Sequence, residues 1–350
     1  MEKNGGFFHT VEKIDAVFPH CGKKFSTPWK TAGWGMSAAA HILVGPTAAG
    51  KSAVALHLAL AARPHRPILS ADSMTIYRGM DIGTAKPDAQ ERAAVPSFGF
   101  DLAEPGQPFS VGDYLAAMQA AAPALAACGA LPIVVGGTGL YVKCLTEGLD
   151  SAAVADPVHR AAAEALLNAE GLAALQAAPR ALNPGQYARL RDPENPRRVV
   201  RAYELLAAGH LLPAAEERPK PKVAGLRLPP DELRARIARR ARQMFAHGLV
   251  DEVRGLRAKF PALSETARHA IGYEEAGQVL DGVLSEEEAI HRTALRTGQY
   301  AKRQMTWFRH QADVAWIDVA PDDSVERIAG RVQQVWAAHG PAPLRIGSGA

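Results

Sequence analysis

The sequence predicts an α/β fold: a parallel sheet flanked by helices, interrupted by an all-helical insertion domain. Three observations carry this expectation. Short apolar runs alternate with Ala/Leu-rich helical stretches from His41 onward. The first run meets the pattern G-x-x-x-x-G-K-[ST] at its end, which makes the sheet P-loop NTPase-like, with ligands expected beyond the carboxyl ends of the strands. Between roughly Ser151 and Arg218 the strand signals vanish, and Ala, Leu and Arg at helical spacing take over, with breaks near Pro184, Pro193 and Pro196.

Residues 1–38 mix Gly, Lys, Phe and Pro without periodicity, and Met36 stands just before the first clear strand. They are expected to be a disordered N-terminal extension, or the result of an upstream start codon chosen over Met36. Residues 39–150 and 219–340 form the expected catalytic core, 151–218 the helical insertion and 341–350 a flexible tail. Within the core, Ile42-Leu43-Val44 reads as a strand and Lys51 to about Ala62 as a helix. A second strand from Pro67 to Ser70 leads into Ala71-Asp72-Ser73. Gly112 to Ala127 reads as a helix closing at Gly129, and Pro132 to Val135 as a buried strand entering Gly136-Gly137-Thr138. After the insertion come a strand at Val223 to Leu228 and an Arg-dense helix from Asp231 to about His247. A long helix opens on the capping box Ser285/Glu288 and runs to about Arg309; a last strand, Val314 to Val319, and a helix from Ser324 to about Ala338 close the core.

Composition bounds the rest. A chain of 350 residues, 47% hydrophobic, buries a full core. Its formal net charge of +4 permits a nucleic-acid partner without demanding one. The cysteines Cys21, Cys128 and Cys144 have no zinc spacing, so neither a disulfide framework nor a structural zinc site is expected, which suits a reducing cytoplasm. No apolar run reaches the ~18 residues that cross a bilayer, so no membrane partner is expected. The absence of sustained heptads points to a monomer.

The chemistry starts at Gly45-Pro46-Thr47-Ala48-Ala49-Gly50-Lys51-Ser52. Glycines let successive N–H groups turn toward one anion, the helix N-terminus adds its positive end, Lys51 neutralises phosphate charge, and the Ser52 hydroxyl reaches Mg²⁺. Such a loop suits nucleotide binding, ATP included. An ATPase usually adds an apolar strand ending in Asp, but Ile133-Val134-Val135 ends in Gly136-Gly137-Thr138, which weakens that reading. Asp72, the carboxylate at a strand end close to the loop, is a magnesium-shell ligand, a base acting on an acceptor, or a turn former.

The run Ser70-Ala71-Asp72-Ser73-Met74-Thr75-Ile76-Tyr77-Arg78-Gly79-Met80-Asp81-Ile82-Gly83-Thr84-Ala85-Lys86-Pro87 closely resembles the bacterial tRNA dimethylallyltransferase family. So do Gly45-Pro46-Thr47, Val134 to Tyr141, Ile271-Gly272-Tyr273 and Tyr300 to Arg309, in the family's order over about residues 40 to 320. The resemblance implies that the loop binds dimethylallyl diphosphate, with Thr47, Lys51, Ser52 and Mg²⁺ gripping the leaving group and Arg240 clamping it from the far side. Asp72 falls on the family's general base, and Thr138 on a residue touching the target nucleotide. The implied partner is a tRNA anticodon stem-loop, met by Asp72, Ser73, Met74 and Thr75, by Arg160, by Arg197, Arg198, Val199, Val200 and Arg201, and by the segment holding His269, Gly272 and Tyr273.

Read from the residues, Arg292, Arg296, Gln299 and Arg303 repeat at helical spacing and make a polar face suited either to an RNA backbone or to solvent. Trp307 and Phe308 stack on bases or belong to the core. Two departures stand out: Glu274 follows Tyr273 where the family commonly has Lys or Arg, and the zinc finger of eukaryotic relatives is absent. The rival readings are a small-molecule phosphotransferase, a non-catalytic RNA-binding protein, and an adenylate isopentenyltransferase acting on a free nucleotide.

Overall fold

Short, mostly apolar runs need a sheet covered on both faces, and the computed structural model, which describes residues 38–149, 156–213 and 220–346, supplies one. Its strands are β1 (Ala38–Val44), β2 (Ile68–Ser70), β3 (Ser97–Phe98), β4 (Ile133–Gly136), β5 (Lys222–Arg227), β6 (Asp313–Asp318) and β7 (Ala342–Leu344). The first six lie in the order β3-β2-β4-β1-β5-β6, and every pair along that path is parallel. In register, His41 sits opposite Ile133 on β4, and Leu43 sits opposite Ala224 on β5.

The helices in chain order are α1 (Lys51–Ala61), α2 (Ala89–Ala94), α3 (Val111–Ala127) and α4 (Gly139–Glu147); then α5 (Pro157–Leu182), α6 (Pro184–Tyr187) and α7 (Pro196–Ala207); then α8 (Pro230–Ala246), α9 (Leu249–Lys259), α10 (Glu265–Arg268), α11 (Tyr273–Leu280), α12 (Glu286–Gln311) and α13 (Val325–His339). They fall into two compact units. Leu149–Pro219 holds α5 to α7, and the remainder of the chain holds the sheet with the other helices.

Alternation along β1 divides the larger unit's core in two. Ile42 and Val44 face a cluster with Leu69, Tyr114, Met118, Val134, Tyr141 and Phe308, while Leu43 faces Val54, Leu58, Ile133, Val135, Leu226, Ile328 and Trp336. Helix α13 is pinned to the sheet where Trp336 Nε1 donates to the Ile42 carbonyl (3.1 Å). Ser285 and Glu288 form the expected capping box at the start of α12.

The smaller unit has its own core of Ala163, Leu175, Tyr187, Val199 and Val200. Three of its prolines act as starts rather than breaks, whereas Pro193 sits in a turn as a break and Pro179 lies inside α5. Pro157, Pro184 and Pro196 each occupy the first turn of a helix behind an Asp or Asn whose side chain caps it: Asp156, Asn183 and Asn195.

Two expectations change. Residues 341–350 were expected to be a flexible tail, but Ala342–Leu344 pair antiparallel with Ala38–Ala40, and Leu344 and Ile346 are buried. The same pairing starts β1 at Ala38, earlier than its apolar run suggests and inside the segment expected to be disordered. The rest of that extension, residues 1–37, lies outside the described residues. The chain leaves β1 for β2, returns through β4 on the same side, then crosses to β5 on the other. The carboxyl end of β1 is therefore where connections diverge, the place at which open parallel sheets bind ligands.

Candidate active site

Gly45 follows β1 with φ 147°, and a Cβ there would lie 2.8 Å from the Leu226 carbonyl oxygen, so this turn tolerates no side chain. Gly50 caps α1 in the left-handed region and supplies no side-chain acceptor, which leaves the first N–H groups of the helix facing outward, as an anion site requires. Lys51 Nζ folds back to donate to the Pro46 carbonyl (2.8 Å). Burial pushes its ammonium down to about 8; the nearby Asp72 charge opposes this and Arg240 adds to it.

Arg240, from α8, donates from Nη1 to Thr47 Oγ1 (3.3 Å) and from Nη2 to the Thr84 carbonyl (3.2 Å). Burial lowers its pKa from the ordinary range and Asp72 partly offsets this. Among the described residues neither Lys51 nor Arg240 forms a salt bridge, so two desolvated cations share one spot beside a single carboxylate. That is the electrostatic signature of a site shaped for an anion. The loop under Arg240 is held by Glu252 of α9. Its Oε2 accepts the N–H groups of Asp81 (3.1 Å) and Ile82 (2.9 Å), and its Oε1 accepts the Tyr273 hydroxyl (2.6 Å).

Asp72 stands just past β2. Its Oδ1 accepts the Met74 N–H (2.9 Å), closing a local turn, and no hydrogen bond reaches its Oδ2 among the described residues. The turn-forming role and a free carboxylate oxygen thus coexist on one side chain. Next to it, Thr138 Oγ1 accepts the Ser73 N–H (3.0 Å) and donates to Ser73 Oγ (3.3 Å). The approach of β4 to the Asp72 turn depends on Gly136, where a Cβ would stand 2.2 Å from the Ala71 carbonyl oxygen. Gln304 of α12 links the turn after β4 to the phosphate loop by accepting from Thr47 N (2.8 Å) and donating to the Gly137 carbonyl (3.0 Å). The Tyr300 hydroxyl lies beside Thr138 and Gln304 and is pushed up to about 12 by burial and the Asp72 charge.

The described residues contain no cluster of three or more His, Cys, Asp or Glu that holds a metal on its own. The exposed Ser52 hydroxyl in the first turn of α1 nevertheless fits Mg²⁺ of the kind that takes one protein oxygen, waters and ligand phosphates.

The expected RNA contacts divide sharply. Thr75 is buried and hydrogen-bonded to Ser70 (3.0 Å), so its side chain does not reach RNA, whereas Ser73 and Met74 are partly exposed. Val199 and Val200 fill the smaller unit's core; helical spacing sends them inward while Arg197 and Arg198 are exposed and Arg201 is half-buried. Arg160 is exposed on α5, paired with Glu164 (2.9 Å). Tyr273 is buried on Glu252, and Gly272 is buried with its N–H committed to Glu275 Oε2 (2.8 Å), so both are parts of the scaffold rather than contacts. His269 is exposed between Glu265 (3.1 Å) and Glu274 (3.2 Å).

Arg296 does not join an open basic face, because Glu274 (2.7 Å) and Glu275 (2.6 Å) bind its guanidinium. Glu274 therefore has a partner within the fold. Phe308 is core, with Trp307 edge-on to it at 5.1 Å and against Gly139. Sequence reasoning missed Gln304, Tyr300, Thr84 and Glu252. For Gln304 the signal was there: a lone amide between the apolar Ala301 and Phe308 on one helix face.

The family described as "IPP transferase" matches residues 75–311. A tRNA dimethylallyltransferase of Anaeromyxobacter sp. (strain K) is 44% identical over 299 residues, covering 83% of this chain and 96% of that one. The tRNA dimethylallyltransferase of Thermus thermophilus is 42% identical over 281 residues, covering 79% and 91%. The crystal structure of a full-length tRNA isopentenylpyrophosphate transferase from Bacillus halodurans superposes with a TM-score of 0.60 at 35% identity, covering 87% of this chain and 98% of that one.

Proposed function

Because this chain belongs to the IPP transferase family, we propose that it moves the dimethylallyl group of dimethylallyl diphosphate onto the exocyclic amine of the adenosine 3′-adjacent to the tRNA anticodon, forming isopentenyladenosine and releasing diphosphate. It is a tRNA-modifying prenyltransferase. One observation carries the residue-level reading: two half-buried cations without a salt-bridge partner among the described residues, the uncapped N–H groups at the start of α1 and a carboxylate with one free oxygen meet at the carboxyl ends of neighbouring strands.

Each group has a task. The bond between the allylic carbon and the diphosphate oxygen breaks, so negative charge grows on the departing oxygens, and Lys51, Arg240, Thr47 and the α1 N–H groups receive it. The bond from the adenine nitrogen to that carbon forms. An exocyclic amine is a weak nucleophile while its lone pair feeds the ring, and loss of its proton to Asp72 restores it. Thr138 and Ser73 seat the nucleotide beside that carboxylate. Bound Mg²⁺, held by Ser52 and the diphosphate itself, supplies further neutralisation of the leaving group. Arg160, Arg197, Arg198 and Arg201 provide cations for the stem-loop phosphates, His269 takes part in the same contact, and the protein acts as a cytoplasmic monomer.

The decisive experiment offers labelled dimethylallyl diphosphate with an unmodified anticodon stem-loop, with AMP, or with neither. Label in the stem-loop alone is the expected result. Equal labelling of AMP would make it a free-nucleotide enzyme; in a parallel incubation with labelled ATP, transfer of phosphate to an acceptor would make it a kinase.

A further inference from the structure

Gln304 is 4% exposed in the larger unit's interior, where an amide costs stability unless both its ends are bonded. Both are. Oε1 faces the Thr47 N–H, which can only donate, and Nε2 faces the Gly137 carbonyl, which can only accept, so its neighbours fix which way the carboxamide points. The fit is close, since a Cβ on Gly137 would come within 2.1 Å of Nε2.

The two ends belong to different halves of the reaction. Thr47 carries Arg240 on its hydroxyl and sits in the diphosphate loop, while Gly137 adjoins Thr138, which holds Ser73 next to Asp72. Tyr300, one turn earlier on α12, sets its hydroxyl beside Gln304 and Thr138 and so adds to the tie.

We propose that Gln304 is a positioning residue, whose one carboxamide sets the spacing between the loop that receives the leaving diphosphate and the turn that seats the acceptor nucleotide, with Tyr300 bracing it. The proposal rests on the prenyl-transfer reading. Donor carbon and acceptor nitrogen must meet at about 3–3.5 Å, and the groups that hold them ride on separate loops, so the loop spacing becomes the reacting distance.

Gln304→Met keeps the bulk and removes both hydrogen bonds. Gln304→Glu still accepts from Thr47 but sets an acceptor against the Gly137 carbonyl. Tyr300→Phe removes one hydroxyl and leaves the ring packed. At saturating substrates, Gln304→Met and Gln304→Glu are expected to lose about 10²-fold in kcat and Tyr300→Phe about 10-fold, the scale of a misplaced reactant. Each KM is expected to move by less than about threefold, because ground-state binding is kept. Hydrogen exchange at the Thr47 amide, measured without substrates, is expected to quicken at least about 10-fold in Gln304→Met.

A merely structural role would lower Tm and raise both KM values while kcat at saturation persists, and that pattern overturns the proposal. So does a Gln304→Met kcat within about twofold of the unmodified protein, an outcome that leaves prenyl transfer standing. If the unmodified chain transfers no prenyl group while Gln304 still protects the Thr47 amide, the functional reading falls, and the catalytic half of the proposal falls with it. Should Gln304→Met fail to fold, Tyr300→Phe decides: unchanged kcat there overturns the brace and the tie together.

Discussion

At the residue scale the site is an argument between charges, and each charge makes a prediction. Asp72→Ala removes the proton acceptor but no RNA-facing cation. Prenyl transfer should fall at least ~10²-fold, the usual scale for a lost general base, with stem-loop affinity unchanged in a filter-binding assay. Lys51 has its ammonium pushed down to about 8, so in the free protein it is charged below that pH and neutral above it. An anionic donor prefers the charged form. Donor KM should therefore stay flat below pH 8 and climb above it by up to about tenfold per pH unit; a flat profile to pH 9.5 would contradict this assignment of the cation. Lys51, Asp72 and Arg240 were legible in the sequence, the first from a chain-local pattern and the other two from motif resemblance. Gln304 showed only as a lone amide on an apolar helix face and Glu252 not at all, because their partners Thr47 and Asp81 lie 257 and 171 positions away. Linear spacing carries no trace of a contact closed only by the fold. Val199 and Val200 show the opposite error, a basic run read as a continuous contact although helical geometry turns two of its members inward.

At the scale of elements, two packing features hold the site. Gly136→Ala would drive a methyl group to 2.2 Å from the Ala71 carbonyl and force β2 and β4 apart just before Asp72. A loss of about 1–3 kcal/mol is expected in urea unfolding, with transfer falling more steeply than stability alone explains. Glu252→Ala would strand the N–H groups of Asp81 and Ile82 and the Tyr273 hydroxyl. A cost of about 1–3 kcal/mol follows from such orphaned groups, together with a raised donor KM, because the loop they hold carries the Thr84 carbonyl under Arg240. The alternation of strands and long helices was readable because most strands are short apolar runs and the long helices α8, α12 and α13 are amphipathic. The short elements α2, β3, α10 and β7 escaped because two to six residues hold too little periodicity to register, and the longer helices α4, α9 and α11 escaped as well.

At the scale of the whole molecule, the groups proposed for the chemistry lie in the larger unit, whereas Arg160, Arg197, Arg198 and Arg201, proposed for the stem-loop phosphates, lie in the smaller one. Replacing Arg197 and Arg198 with Ala should weaken stem-loop binding and reduce its salt dependence by about one ion per lost phosphate contact, while donor affinity stays unchanged. Loss of donor affinity in that double variant would show the two functions to be less separate than their residues. None of the described helices is long and apolar enough to cross a membrane.

Residues 149–219 fold around a core of their own and are spliced into the connection from β4 to β5, which straddle β1. Every reacting group, from Gly45 to Ser52 and on through Asp72, Thr138 and Arg240, lies outside that splice. On the proposed assignment of the stem-loop cations, the spliced body can be exchanged like a cartridge, altering which transcripts are chosen while the reaction is inherited intact. A chimaera carrying a relative's residues for 149–219 should adopt the relative's substrate preference and keep its own turnover.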